Sequence, residues 1–292
     1  MKRGYKNQLK GYLFLLPITV IIFTFMLLPF GNGLYLSFFK TKYGFGEMNF
    51  AGIQNYIKVF SMEGIGNAFF NSLKWVLISL GINTVLPFAI ALLLNRNFKG
   101  KNIVLASVLI PWMTPVTAYA MIWRWLLEPN IGAVNRVLLE SKIVDHAITF
   151  LSSTSLALPT LIVISCMQFM PMGVLLMSSA LSTIPNEQYD SMKVDGATYL
   201  QTLKNLIMPS VGQIMGFMLF LGAVQTFNNY SLIHVLTKGG PSNSTTTIPL
   251  LIYQKAFAEF NIGQAMALAS MVGIVLIIFG ILFFRNFYKV ES

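Results

Sequence analysis

Charged side chains are scarce in this sequence. Lys, Arg, Asp and Glu together make up 10% of the 292 residues and apolar residues make up 55%, with a mean hydropathy of +0.67. In an average soluble domain about a quarter of the residues are charged. None of the 10 Asp and Glu residues lies inside a long apolar run. The composition therefore excludes an ordinary soluble domain and indicates an integral membrane protein.

Cysteine and histidine are almost absent. Cys166 is the single cysteine, which excludes an internal disulfide and a multi-cysteine zinc or iron–sulfur site. His146 and His234 lack companions at ligand spacing, so no metal site is expected. The sequence also has no G-x-x-x-x-G-K-[ST] phosphate loop, no H-E-x-x-H motif and no evident Ser/His/Asp set. We therefore expect a chain that is not an enzyme and binds no cofactor itself.

Long apolar runs dominate what is present. A helix needs about 20 apolar residues to cross roughly 30 Å of hydrocarbon, where only helices and closed barrels satisfy their own backbone. Six segments reach this length: residues 11–39, 75–95, 103–127, 155–184, 206–230 and 263–284. Only the third contains a charge, Arg124, which lies near its end and can reach the interface. The predicted fold class is an all-α integral membrane protein with six transmembrane helices.

Lysine and arginine distinguish the two sides of these spans. The termini and the short segments after spans two and four carry the following basic residues: Lys2, Arg3, Lys6, Lys10, Arg96, Lys99, Lys101, Lys193, Lys204, Arg285 and Lys289. By the positive-inside rule this side is cytoplasmic, so both termini are predicted to be cytoplasmic in a multi-pass protein of the cell membrane. The net charge of +10 is thus a topology signal beside membrane lipid, and no nucleic-acid partner is expected.

The segment between predicted spans four and five, residues 184–209, has the most informative spacing. Pro185 suits a first helical turn, acidic residues follow it, and Gly196 permits a break before a second segment that ends at Pro209. The residues therefore predict two short cytoplasmic helices. A plain amphipathic linker would account for this composition, but it would not require this spacing.

This spacing resembles the EAA loop of binding-protein-dependent ABC importer permeases. In that pattern Glu-Ala-Ala is followed after three residues by Gly and after nine more by Ile-x-Leu-Pro. Asp190, Ser191 and Met192 occupy the first three positions, Gly196 the glycine position and Pro209 the last, with every gap at the family length. Four side chains depart from the strict pattern, since Asp, Ser and Met replace Glu-Ala-Ala and Met replaces Leu, while the spacing is kept.

Two further stretches resemble the maltose-type, or carbohydrate-uptake, class of these permeases. Residues 237–241, which include Gly239, Gly240 and Pro241, are similar to the outer loop of that class between spans five and six. Residues 110–115, Ile-Pro-Trp-Met-Thr-Pro, are similar to its third span. Gly-Gly-Pro alone is only a turn signal, but here it falls between the right two spans.

The resemblance implies a type I ABC importer permease fold, a single domain over residues 1–292 with a five-helix core at about 71–285 and an extra N-terminal helix at about 11–39. It implies that the cytoplasmic loop between spans four and five is a coupling helix on a separate ATPase, with Tyr189, Asp190 and Met192 facing that subunit. The residues expected at this junction are Glu187, Tyr189, Asp190, Ser191, Met192, Asp195, Gly196, Ala197 and Pro209.

The same resemblance implies the partners and the activity. The partners are a second permease, which in this family is more often a related but different chain, two copies of an ATP-binding subunit that hold ATP and Mg²⁺, and an extracytoplasmic sugar-binding protein. The implied activity is import of a mono- or oligosaccharide.

Polar and aromatic residues inside the spans are candidates for the sugar path, because amides and aromatic rings commonly contact uncharged sugars. They are Asn83, Trp112, Tyr119, Gln168, Gln225, Asn228, Asn229 and Tyr230. The competing interpretation for the amides is a hydrogen bond between helices, worth about 0.6 to 2 kcal/mol.

Other transport functions stay open at this point. An ion-coupled secondary transporter would also be helical and basic, but its ion sites generally use carboxylates at membrane depth, and the predicted spans contain none. Within the importers, glycerol phosphate and polyamine permeases are the nearest alternatives. An anionic substrate favours a buried Arg or Lys and a cationic one a buried carboxylate. The predicted spans contain no carboxylate and only one basic residue, Arg124, which lies near the end of its span. This scarcity of charge favours a neutral sugar.

Overall fold

The computed structural model describes residues 13–41, 48–95 and 98–287, most of which are helical. The helices are α1 (Leu13–Leu36), α2 (Gln54–Phe60), α3 (Ile65–Leu94), α4 (Lys101–Met113), α5 (Val116–Leu126), α6 (Ala133–Glu140), α7 (Ala157–Ser182), α8 (Asn186–Val194), α9 (Tyr199–Asn228), α10 (Tyr230–Leu236), α11 (Ile248–Tyr253) and α12 (Ile262–Phe287). Strands β1 (Phe39–Lys40) and β2 (Asn49–Phe50) form one antiparallel pair with Phe39 opposite Phe50. The predicted basic markers Lys2, Arg3, Lys6, Lys10, Arg96 and Lys289, and residues 11 and 12 of the first span, lie outside the described residues.

Three π turns interrupt or extend these helices. Phe23–Leu27 lies within α1, Leu203–Ile207 lies within α9, and Gln254–Ala258 follows α11. Each is a single widened turn, the form in which π geometry usually occurs. The π turn in α9 bears on the functional site described below.

Within the described residues five helices are long and apolar enough to cross a membrane: α1, α3, α7, α9 and α12. The segment predicted as a continuous third span, residues 103–127, is instead a broken pair, because α4 and α5 are bent by 98°. The break has a local cause. Thr114 is extended (ψ 129°) because the residue before a proline avoids the helical region, and Pro115 has no N–H to donate. Counted as one broken span, the pair brings the number to six.

Two spans begin earlier than predicted. α3 begins at Ile65 rather than at residue 75, and α9 begins at Tyr199 rather than at residue 206. Polar residues interrupt the apolar sequence at the start of α3, and two of them are hydrogen-bonded inside the protein. Asn71 Nδ2 donates to the Thr246 carbonyl at 3.1 Å, and Ser72 Oγ accepts from a backbone N–H at 2.8 Å.

The chain divides into two compact units, residues 1–63 with 252–275 and residues 64–251 with 276–292. In the first unit the buried Asn55 side chain donates to the carbonyls of Ser37 and Phe39 at 2.8 and 2.9 Å. The Tyr56 hydroxyl lies 2.7 Å from Ser37 Oγ. These bonds hold α2 against the end of α1.

In the second unit α7 is the central helix. Leu161 and Met177 on this helix are fully buried. Gly173 allows α3 and α9 to approach α7 closely, because a Cβ at this position would lie 2.9 Å from Pro87 and 3.0 Å from Met218. The three spans therefore meet at a residue that has no room for a side chain.

Replacing Gly173 with Ala should lower the free energy of unfolding by about 1 to 3 kcal/mol, because the added methyl overpacks the contact with Pro87. The matched control is Gly81→Ala on α3, where a Cβ meets no atom within 4 Å and Ala favours the helix by up to about 1 kcal/mol. Thermal unfolding of the purified protein in detergent measures both. Equal melting temperatures for the two variants would contradict the close packing at Gly173.

Candidate functional site

The segment between α7 and α9 folds as the sequence predicts in its first half. Pro185 is extended (φ −61°, ψ 142°) and precedes α8 as its N-cap, so the helix begins at Asn186. Glu187 lies in the first turn and Lys193 in the last turn. This order places negative charge at the N-terminus and positive charge at the C-terminus, which the helix dipole favours.

Gly196 ends α8 in a Schellman motif. Its N–H donates to the Lys193 carbonyl at 3.0 Å, and the Ala197 N–H donates to the Met192 carbonyl at 2.9 Å. The backbone of Gly196 is left-handed, with φ +71°, a conformation that glycine adopts at little cost. The predicted break after α8 therefore has a defined geometry.

A capping box begins α9 directly after this break. The Thr198 N–H donates to Gln201 Oε1 at 2.7 Å, and the Gln201 N–H donates to Thr198 Oγ1 at 3.4 Å. These reciprocal bonds satisfy two backbone groups that a helix N-terminus otherwise leaves free. The turn between α8 and α9 is thus fixed at both ends.

The second predicted segment does not end at Pro209. It continues through Pro209 as α9, which runs for 30 residues to Asn228. The π turn at Leu203–Ile207 accounts for this continuity, because the Met208 N–H donates to the Leu203 carbonyl, five residues back. This five-residue pairing replaces the usual four-residue hydrogen bonding of the helix just before Pro209, which has no N–H to donate.

Buried apolar side chains join this loop to the spans. Ile184 and Ile207, which lie on either side of it, are buried in one cluster with Ala91 of α3 and Met177 and Leu181 of α7. Partly buried side chains on its edge include Phe88, Leu92, Tyr189, Leu203, Leu206, Ile214, Met215 and Met218. Spans two, four and five are therefore packed directly against the loop.

Tyr189, which is predicted to face the ATPase, is half-buried and packs against this cluster. The ring packs on the buried core with Leu203 and Leu206. Burial raises the pKa of the Tyr189 hydroxyl, and this effect outweighs the lowering by the neighbouring Asn95 side chain. Tyr189 therefore anchors α8 to the spans. Met192 and Ala197, also predicted for the junction, are half-buried.

Three exposed apolar side chains lie at the turn between α8 and α9: Val194, Tyr199 and Leu200, which we call the loop patch. Their exposed fractions are 87%, 56% and 72%. The residues predicted for the junction that are exposed are Glu187, Asp190, Ser191, Asp195, Gly196 and Pro209. Lys193 Nζ and Asp190 Oδ1 are 2.8 Å apart, but an exposed pair of this kind contributes at most about 1 kcal/mol.

Tyr199 and Leu200 were not predicted as site residues. The signal for them is the Thr198-x-x-Gln201 capping pattern, which marks a helix start and places both residues in an exposed first turn.

Three of the predicted path residues hold the spans together. Gln168 is buried and its Nε2 donates to the Thr114 carbonyl at 3.2 Å, at the break between α4 and α5. The Tyr119 hydroxyl donates to the Ile164 carbonyl at 3.2 Å. Asn229 Nδ2 donates to Ser165 Oγ at 3.4 Å. These are the hydrogen bonds between helices that formed the competing interpretation.

The other path candidates have more open surroundings. Gln225 and Asn228 are exposed on α9, and Asn228 Nδ2 donates only to its own helix, to the Val224 carbonyl at 2.8 Å. Trp112 is 43% exposed, and Tyr230 is half-buried. Asn83 is half-buried, and its buried Oδ1 has no hydrogen-bond partner among the described residues.

The predicted outer loop, with Gly239, Gly240 and Pro241, is a hydrogen-bonded turn after α10. Gly239 is left-handed (φ +96°) and the Gly240–Pro241 peptide bond is cis. The Thr245 hydroxyl donates to the Gly240 carbonyl at 2.9 Å, and the Thr246 hydroxyl donates to the Gly239 carbonyl at 3.2 Å. Both threonines are buried, so their side chains fix the backbone of the glycines.

A cavity of about 440 Å³ opens beside this turn. It is lined by Arg124, Leu127, Glu128, Pro129, Leu151, Ser152, Leu236, Thr237, Gly240 and Pro241. Glu128 Oε2 accepts the N–H groups of Asn130 and Ile131 at 2.7 and 2.8 Å. Arg124 donates to the Val235 carbonyl at 3.4 Å, and among the described residues no carboxylate lies within ion-pair distance of it.

Known proteins are similar to this chain in sequence and in fold. Residues 83–290 match the family of binding-protein-dependent transport system inner membrane components. The chain belongs to this family. The predicted resemblance to ABC importer permeases is thereby confirmed. Members of this family are transport components, and we call the chain the permease.

Relatives and solved structures agree with this assignment. The permease is 27% identical over 93% of its length to 92% of the trehalose/maltose transport system permease protein MalF of Thermococcus litoralis. It is 24% identical over 97% of its length to 95% of the sn-glycerol-3-phosphate transport system permease protein UgpA of Yersinia pestis. Its fold matches, with a TM-score of 0.85 and 21% identity over 99% of both chains, a chain of a bacterial ABC transporter involved in import of the acidic polysaccharide alginate. The permease therefore has the type I ABC importer permease fold.

Proposed function

We propose that the permease forms half of a sugar pathway through the cell membrane, and that ATP hydrolysis on separate subunits drives transport through it. The observation that carries this proposal is the loop between α7 and α9. It presents the loop patch outward, and on its other side it packs on spans two, four and five through one buried cluster. A displacement of the loop patch by a partner therefore acts on three spans at once.

The proposed topology follows from counting crossings. With α4 and α5 taken as one broken span, the chain crosses six times. Both termini and the coupling loop then lie on the side of the short basic segments, which is cytoplasmic by the positive-inside rule. The turn at Gly239, Gly240 and Pro241 lies on the opposite side, where an extracytoplasmic binding protein would deliver sugar.

The proposed complex contains the permease, a second permease and two copies of an ATP-binding subunit. The loop patch and its surrounding acidic residues dock on one ATP-binding subunit, and a second permease, a related but different chain, docks on another copy. ATP and Mg²⁺ are held by those subunits, in keeping with the absence of a phosphate loop from the full sequence. A solved structure similar to the permease is an alginate transporter in complex with an alginate pentasaccharide-bound periplasmic protein.

A neutral mono- or oligosaccharide is the proposed substrate. Gln225 and Asn228 expose amide groups in the last turn of α9, the fifth proposed span. Polar side chains within a span mark a water-filled path or a protein interface and avoid lipid. Amides of this kind bind sugar hydroxyls without adding charge. The permease protein MalF that the chain resembles belongs to a trehalose/maltose system.

An anionic substrate, such as a phosphorylated polyol, is the second candidate. The supporting observation is the position of Arg124 on the wall of the 440 Å³ cavity, without a carboxylate in ion-pair distance among the described residues. A guanidinium in such a place suits a carboxylate or a phosphate. Arg124→Gln would abolish uptake of an anionic solute and leave uptake of a neutral sugar unchanged.

The docking proposal is tested by an introduced cysteine at Leu200 in sealed membranes. In the permease without its ATP-binding subunit, Leu200→Cys should react with a membrane-impermeant maleimide only from the cytoplasmic side, and in the complete complex a short bifunctional reagent should join it to the ATP-binding subunit. The wild-type chain is the blank, because its single Cys166 is buried. Labelling from the outside, or a crosslink to no partner, would overturn the docking proposal.

Gly196 gives a sharper test of the loop geometry. Gly196→Val should reduce ATP-driven uptake at least about tenfold, because a left-handed backbone costs an ordinary L-residue about 1 to 2 kcal/mol and a β-branched one more. Gly196→Asn is the matched control, since asparagine tolerates this conformation and a Cβ here meets no atom within 4 Å. Uptake and ATPase stimulation in proteoliposomes are the readouts. Equal loss in both variants would show that the left-handed turn is not what matters.

A further inference from the structure

The short helix α2, just after the first span, has its apolar side on the outside. Asn55 and Val59 form its buried side, and Ala51 just before it is buried too. Among the exposed positions, Ile53 at the N-cap, Ile57 and Phe60 are apolar and spaced i, i+4 and i+7, with exposed fractions of 63%, 56% and 68%, while Gln54 and Lys58 are polar. A helix on a water-facing surface shows the reverse pattern, with polar residues outward. We call these three residues, with Phe50 of β2 (74% exposed), the α2 face.

The position of α2 is fixed at the end of the first span. Asn55 donates to the carbonyls of Ser37 and Phe39 at 2.8 and 2.9 Å, and these residues follow Leu36, the last residue of α1. The α2 helix is therefore held beside the end of the first span.

The neighbouring span shows what surrounds this part of the molecule. No residue of α1 is buried within the described structure, so lipid is the natural surrounding of that helix. The α2 face adds four exposed apolar side chains shortly after the end of this span. Lys58 is exposed beside the face, as expected of a basic residue that reaches lipid headgroups.

We propose that α2 is an interfacial helix, whose α2 face enters the headgroup and acyl boundary of the membrane and anchors the end of the first span. The occupant of this surface is the lipid bilayer. Amphipathic helices of this kind lie in the plane of the interface, with the apolar side about 5–10 Å deep. This inference depends on membrane insertion of α1 and is independent of the ATPase, the sugar and the coupling loop.

Quenching of a fluorophore at single cysteines tests the proposal in the complete complex, reconstituted into vesicles of phosphatidylcholine and phosphatidylglycerol. Ile57→Cys places the probe on the α2 face, and Lys58→Cys is the matched control on the next residue of the same helix. The wild-type chain, whose single Cys166 is buried, gives the background labelling. Iodide reports contact with water, and lipids brominated near the headgroup report contact with the bilayer.

The expected result is strong quenching of the Ile57 probe by brominated lipid, with iodide quenching severalfold lower than at Lys58. Equal iodide quenching at the two positions would overturn the proposal, because the α2 face would then lie in water. Protection of the Ile57 probe from both quenchers would also overturn it, because a protein would then cover the face. Neither outcome depends on transport activity, so failure here is distinct from failure of the proposed function.

Discussion

A permease that carries Val194→Asp and Leu200→Asp should insert and fold normally but lose ATP-driven uptake by at least about 100-fold. Both side chains are largely exposed, at 87% and 72%, so the substitutions remove no internal packing. Two interface contacts that contribute about 1.4 kcal/mol each are enough to weaken association by about 100-fold when both are lost. Buried carboxylates add a desolvation cost. Copurification of the ATP-binding subunit and uptake into proteoliposomes measure the effect.

The matched control is Val137→Asp on α6, another exposed valine, at 59%. This residue lies far along the chain from the loop patch and, by the proposed topology, on the other side of the membrane. It should leave the association with the ATP-binding subunit unchanged. If the double variant kept its partner and its uptake, the loop patch would not be the docking surface.

Replacement of Gln225 and Asn228 together by Ala should reduce the efficiency of sugar uptake by about tenfold to a hundredfold. Each amide that binds a sugar hydroxyl contributes about 0.5 to 1.5 kcal/mol, and two contribute about one to two decades in affinity. The protein should stay as stable as the wild type, because both side chains are exposed. The measurement is the dependence of uptake rate on sugar concentration, with ATPase activity followed in parallel.

Gln168→Leu provides the contrasting variant. Its amide donates to the Thr114 carbonyl at 3.2 Å inside the protein, so its loss should lower the free energy of unfolding by about 1 to 3 kcal/mol. A lower melting temperature for Gln168→Leu and an unchanged one for the Gln225/Asn228 variant would separate a structural amide from a path amide. Unchanged uptake in the Gln225/Asn228 variant would assign those residues to a helix or subunit interface.

The apolar runs predicted the long helices, because the thickness of the bilayer sets a minimum length that few apolar segments of soluble proteins reach. They did not predict the first ten residues of α3, where polar residues interrupt the apolar run and Asn71 is satisfied by its bond to the Thr246 carbonyl. They did not predict the bend of 98° at Thr114 and Pro115 either. A proline in a span is compatible with a kink or with a full break, and the neighbouring helices decide between them.

The spacing of the loop predicted its break at Gly196 because only a left-handed residue closes a Schellman motif without strain. Which side chains face outward depends on tertiary packing, and that part was beyond the sequence. Tyr189, which was predicted for the junction, packs on the buried cluster, whereas Leu200, which was not predicted, is 72% exposed. Likewise, the sequence alone does not distinguish an amide that binds sugar from one that joins two helices. The structure shows that the Gln168 amide donates to the Thr114 carbonyl.

Uptake of labelled sugar by proteoliposomes that contain the permease with its native partners tests the central claim most directly. Uptake should require the sugar-binding protein on the outside and hydrolysable ATP on the side of the coupling loop. It should stop when ATP is replaced by a non-hydrolysable analogue, whatever proton or sodium gradient is imposed. Sugar accumulation that follows an ion gradient in the absence of the ATP-binding subunit would contradict the account.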